Sequence, residues 1–101
     1  MQVVYKYEVD FKTSLDRQVF NVAMPGGVKI LSVQTQRERS QRQLCLWALV
    51  DVGAQPDVVR TFALLGTGQP LDMSHAEQLE HLATIQDGPY VWHVFEITRK
   101  E

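Results

Sequence analysis

The sequence predicts a mainly β (β-rich α+β) domain: an antiparallel sheet of six or seven strands curled into a sandwich or open barrel, with one short helix near residues 74–81. Three observations predict it. Val3, Tyr5, Tyr7, Val9 and Phe11 alternate with Val4, Lys6, Glu8, Asp10 and Lys12, the two-residue period of a strand with one buried and one wet face. Short apolar runs recur between turn signals at Pro25-Gly26-Gly27, Gly53, Gly66-Thr67-Gly68-Gln69-Pro70 and Asp87-Gly88-Pro89. The tight turns at Pro25-Gly26 and Asp87-Gly88 suit antiparallel neighbours, because a parallel crossover needs roughly a dozen residues or more.

Taken in order, the first strand presents its odd-numbered apolar residues to the core. A polar turn at Thr13-Ser14-Leu15-Asp16 leads to a second run over residues 17–23. Pro25 and Gly26 suit a type II turn, in which proline presets the second position and glycine accepts positive φ at the third. A third strand follows over residues 28–35. Residues 36–43 contain no hydrophobic side chain and predict a solvated loop or the exposed tip of a hairpin. The run Leu44-Cys45-Leu46-Trp47-Ala48-Leu49-Val50 is apolar on both alternating faces, as in a central strand covered on both sides. Residues 58–65 make a fifth strand. Ser74-His75-Ala76-Glu77 has the form of a capping box and predicts the short helix. Residues 83–86 and 90–97 then form a hairpin about the Asp87-Gly88 turn.

The chain's 101 residues suit one domain, with no linker, repeat or low-complexity tract inside it. At 45% hydrophobic and 22% charged, the composition is that of a packed globule. No apolar run approaches the roughly 20 residues that cross a bilayer as a helix, and the N-terminal residues lack the pattern of a signal peptide. A soluble, cytoplasmic protein is expected, with no membrane contact. The lone Cys45 forms no internal disulfide, which fits a reducing compartment. Ten basic residues against twelve acidic ones give a net charge of −2, which disfavours general nucleic-acid binding. That total averages an N-terminal portion, residues 1–42, with seven basic and four acidic side chains, and a remainder with three and eight. A local site for an anion or partner suits the split better than a broad basic surface.

Candidate site residues follow from side-chain chemistry. Arg37, Arg39 and Arg42 crowd the polar segment, and guanidinium forks pair bidentately with phosphate or carboxylate. Arg60 alternates with Val58, Phe62 and Leu64, so it pairs with a buried acid such as Asp51 or reaches into a pocket. Trp92, an expected core residue, offers a stacking surface beside His93. His93 shares a strand face with Val91, Phe95 and Ile97 and needs a hydrogen-bond partner if buried. His75, His81 and His93 lack metal-ligand spacing, so no metal and no cofactor are expected. Cys45, flanked by Leu44 and Leu46, is expected to be a small buried hydrophobe rather than a nucleophile. Residues 66–68 lack the lysine and spacing of a nucleotide-hydrolase loop and read as a strand-ending turn.

The blocks Met24-Pro25-Gly26-Gly27-Val28-Lys29-Ile30-Leu31-Ser32-Val33-Gln34, Leu46-Trp47-Ala48-Leu49-Val50-Asp51, Arg60-Thr61-Phe62, Gly66-Thr67-Gly68-Gln69-Pro70 and Val91-Trp92-His93-Val94-Phe95-Glu96 carry a resemblance over nearly the whole chain. Together they resemble a family of small phage and prophage proteins of unknown function. The arginine-bearing residues 36–43 and the segment 73–80 depart from that pattern. The resemblance implies a phage accessory protein in the bacterial cytoplasm and implies no chemistry. The expected function is non-enzymatic: binding that counteracts a host factor or defence system, either by sequestering a small anionic or nucleotide signal or by occluding a host protein. A virion or assembly component is the alternative. A small nucleotide hydrolase is a third reading, which His81 and His93 on opposite faces of the last hairpin would exclude. Exposed sheet edges favour a homodimer or higher homo-oligomer.

Overall fold

The computed structural model describes residues 1–10, 18–38, 41–72 and 76–99. Seven strands occupy them: β1 (Gln2–Asp10), β2 (Gln18–Met24), β3 (Lys29–Glu38), β4 (Gln41–Asp51), β5 (Val58–Gly66), β6 (Glu77–Asp87) and β7 (Tyr90–Arg99). They do not form one curled sheet. They divide into two, a three-stranded sheet ordered β1-β4-β3 and a four-stranded sheet ordered β2-β5-β7-β6, with every pairing antiparallel. The sheets stack as an open sandwich, and neither closes into a barrel.

Alternation in each central strand makes the shared core. Leu44, Leu46, Ala48 and Val50 of β4 meet Phe62 and Leu64 of β5 and Trp92 and Val94 of β7 in one buried cluster. β3 and β6 run close together along one margin of the sandwich. Along the other margin β1 and β2 are sheet edges, and an apolar groove of about 600 Å³ opens there beside Val3, Tyr5 and Tyr7. Only the later half of β1 reaches the core as predicted: Tyr7 and Val9 pack against it, whereas Val3 and Tyr5 remain exposed. At this margin Val3 and Tyr5 line the groove instead of packing into the core.

Three expectations are corrected. No helix occupies residues 76–81; Glu77 begins β6, while Ser74 and His75 lie outside the described residues. Ten residues of β6 pair with β7 from Glu77↔Arg99 to Asp87↔Tyr90, and this ladder outweighs the local preference of a capping box. The Pro25-Gly26 turn does not close a hairpin, because β2 and β3 belong to different sheets; positive φ falls at Gly27 (74°) rather than at Gly26. β4 is central but covered on one face only. Cys45 is fully buried on the other face, where Trp47 and Leu49 stay half-buried.

Of the predicted polar loop or hairpin tip at 36–43, residues 36–38 and 41–43 are strand, with Arg37 opposite Arg42 and Glu38 opposite Gln41. Thr13 to Asp16, Arg17 and Arg39 lie outside the described residues. Among the described residues, no helix is long and apolar enough to cross a membrane.

Candidate functional site

Two arginine-carboxylate pairs stand on the inner faces at opposite ends of the core. The period of two carries β5 from Leu64 and Phe62 to Arg60, and β7 from Trp92 and Val94 to Glu96. Arg60 donates from Nε to Glu96 Oε2 at 2.7 Å and from Nη2 to Glu96 Oε1 at 2.6 Å. Its Nη1 donates to the Val28 carbonyl oxygen at 2.6 Å and lies 3.9 Å from Met24 Sδ. The Glu96 hydrogen bonds hold the guanidinium more firmly protonated than usual, against the opposing effect of burial. Arg60 therefore has its buried acid, and that acid is Glu96; Asp51 is exposed at the end of β4.

At the other end, β4 carries the same face from Leu44 to Arg42, and β6 carries its own from Ile85 to Asp87. Arg42 Nη1 lies 3.1 Å from Asp87 Oδ2, with side-chain exposures of 19% and 8%. The same guanidinium covers the Tyr90 ring, its Cζ 5.4 Å from the centroid, and Tyr90 stacks on Trp92 at 5.9 Å and 29°. A cavity of about 580 Å³ lies against these rings, lined by Gly66, Thr67, Gly68, Gln69, Pro70, Pro89, Tyr90, Val91 and Trp92. Two turns build it. In the first, Gly68 adopts φ +83°, and Gln69 donates its backbone N–H to the Gly66 carbonyl at 3.1 Å while its Oε1 accepts from the Gly66 N–H at 2.9 Å. In the second, Gly88 at φ +59° turns the chain from Asp87 into Tyr90.

Behind the first turn, on the outer face of the four-stranded sheet, hydroxyls and imidazoles form a chain. Thr67 Oγ1 lies 2.8 Å from His93 Nε2, His93 Nδ1 lies 3.1 Å from Thr84 Oγ1, and Thr84 Oγ1 lies 2.9 Å from His81 Nε2. His81 also sets its ring edge-on to Phe95 at 5.4 Å. The two histidines thus share one face and a bridging hydroxyl, and the geometry that would have excluded a hydrolase is absent.

A family model matches residues 1–101. The chain belongs to that family, a domain of unknown function (DUF7352). No curated protein and no solved structure matches it.

In this DUF7352 domain the predicted site residues separate. Trp92 lines the cavity, Arg42 lies over the Tyr90 ring that lines it, and His93 reaches its rim through Thr67. Arg60 is held by Glu96, which stands six residues along β7 from Tyr90, a distance of about 20 Å at strand rise. Arg37 pairs with Arg42 through the backbone. Sequence reasoning missed Tyr90, Asp87, Thr67 and Thr84. Tyr90 was recoverable, since it alternates with Trp92; the others depend on strand pairing. Among the described residues, no group of three or more His, Cys, Asp or Glu side chains could hold a metal ion. Cys45 donates to Gln36 Oε1 at 3.6 Å, and burial pushes its thiol pKa up.

Proposed function

We propose that this protein acts by binding, holding a small planar molecule against Tyr90 and Trp92 beneath the turn of residues 66–70. The observation that carries this reading is the cavity of about 580 Å³ with a stacked aromatic pair in its wall and Arg42 over the outer ring. Concave sites of roughly 300–1,000 Å³ with aromatic walls and a few polar groups suit drug-sized ligands. Aromatic faces accept a nucleobase without demanding one base in particular. Sequestration of a nucleotide-like signal by a non-enzymatic phage accessory protein fits this arrangement better than occlusion of a host protein. Occlusion would draw on the exposed β1 and β2 edges, which also suit pairing in a homodimer.

Titration of the purified protein with a panel of cyclic nucleotides, followed by calorimetry and thermal unfolding, tests the reading. A ligand at a hundredfold excess over Kd adds about 2.7 kcal/mol to stability. Tyr90→Ala should weaken binding about fivefold or more, because a stacked base contributes about 1–3 kcal/mol. Undiminished affinity in that variant would remove the cavity from the site. A second reading, a small nucleotide hydrolase, draws on His81 and His93 sharing a face; nucleotide recovered cleaved rather than intact would favour it.

A further inference from the structure

We infer that His93 sets the hydrogen-bonding character of the cavity rim through Thr67, so that the cavity takes a ligand bearing an anionic oxygen and takes up a proton as it binds. This rests on the cavity being a ligand site, as proposed above, and names what it selects.

A hydroxyl has one hydrogen to give. With His93 Nε2 bare, Thr67 donates to it at 2.8 Å and offers the cavity only lone pairs. With a hydrogen on Nε2, the imidazole donates to Thr67 Oγ1, and the hydroxyl hydrogen is free to point at a ligand. An imidazolium carries hydrogens on both nitrogens, and both already face oxygens that can accept. Nδ1–H donates to Thr84 Oγ1, whose own hydrogen passes to His81 Nε2. Charging His93 therefore keeps every hydrogen bond of the chain without moving a heavy atom. An anionic oxygen at Thr67 then gains a donor and a positive charge one hydroxyl away, and opposite charges nearby favour the charged form.

The groups around His93 are Leu65 from β5, Thr84 from β6, Thr67 from the turn, and Val91 and Phe95 along β7. His81, beyond Thr84, is the other titratable member of the chain. Arg42 and Asp87 lie on the opposite face of the sheet as a pair. An imidazole is the side chain suited to change charge between about pH 5 and 8. Phosphate and carboxylate share the required chemistry, so the anionic oxygen defines the ligand class.

The test uses probes whose charge is constant over that range: cyclic AMP, neutral adenosine, and sulfate. Cyclic AMP should bind about tenfold more tightly near pH 5.5 than near pH 8, adenosine equally at both, and sulfate should displace cyclic AMP at the lower pH. His93→Gln, which hydrogen-bonds but does not titrate, should make the cyclic AMP profile flat. Thr67→Val should abolish the tightening. A flat profile in the unaltered protein, a retained slope in His93→Gln, or failure of sulfate to compete overturns the inference but not capture. If neither cyclic AMP nor adenosine binds, capture falls. Backbone amide resonances of Thr67 and Gly68 then decide the coupling: they should move between about pH 5.5 and 8 in the unaltered protein and stay still in His93→Gln, and signals that behave alike in both overturn the coupling.

Discussion

The two ends of the sandwich core are closed by the same residue pairing used in opposite ways. At the Arg60 end, a guanidinium spends its donors on Glu96 and the Val28 carbonyl, tying β5 and β7 to the connection between the sheets. At the Arg42 end, one close contact to Asp87 leaves the flat face of the guanidinium over Tyr90, whose ring lines a cavity. A buried ion pair whose hydrogen bonds converge within the fold serves architecture; one whose face lies on a ring that lines a cavity can serve recognition. Charge content alone could not distinguish these ends.

The largest expected effect comes from removing the closed end's acid. Glu96→Ala should cost about 3 kcal/mol in urea unfolding, since breaking a buried pair leaves a charge uncompensated. Arg42→Ala should cost less, about 1–2 kcal/mol for one charged contact and a cation-π contact, and should also weaken ligand binding. Equal losses in the two variants would break the comparison. The smallest effect sharpens it. Gly68 and Gly53 both adopt φ +83° with open space where a Cβ would stand, so alanine at either should cost about 1 kcal/mol of backbone strain. Only Gly68→Ala should weaken ligand binding, as measured by calorimetry.

What was legible in the sequence was whatever a local pattern determines. The apolar run of β4 and the alternation of β7 announce themselves, as does the Asp87-Gly88 hairpin turn. Arg60 could be seen to need a buried acid or a pocket, because its strand places it among Val58, Phe62 and Leu64. Which acid could not be seen: Glu96 reaches it only through the pairing of β5 with β7, 36 residues apart at this contact. The cavity was hidden for the same reason, since Gly66 and Trp92 become neighbours only in that register. The helix expectation failed on the other side of this boundary. Four residues, Ser74-His75-Ala76-Glu77, satisfied a local rule, and a ladder against β7 decided the chain from Glu77 onward instead.

The register of β1 has a consequence for the order in which the chain can assemble. Gln2 pairs with Asp51 and Asp10 with Gln43, so β1, which is synthesised before β4, lacks this neighbour until β4 has followed it. Through that interval Val3, Tyr5 and Tyr7 are a bare template for any extended segment of another chain. Lys6 and Glu8, interleaved with them and 3.0 Å apart as an ion pair in the finished fold, are the gatekeepers of that strand.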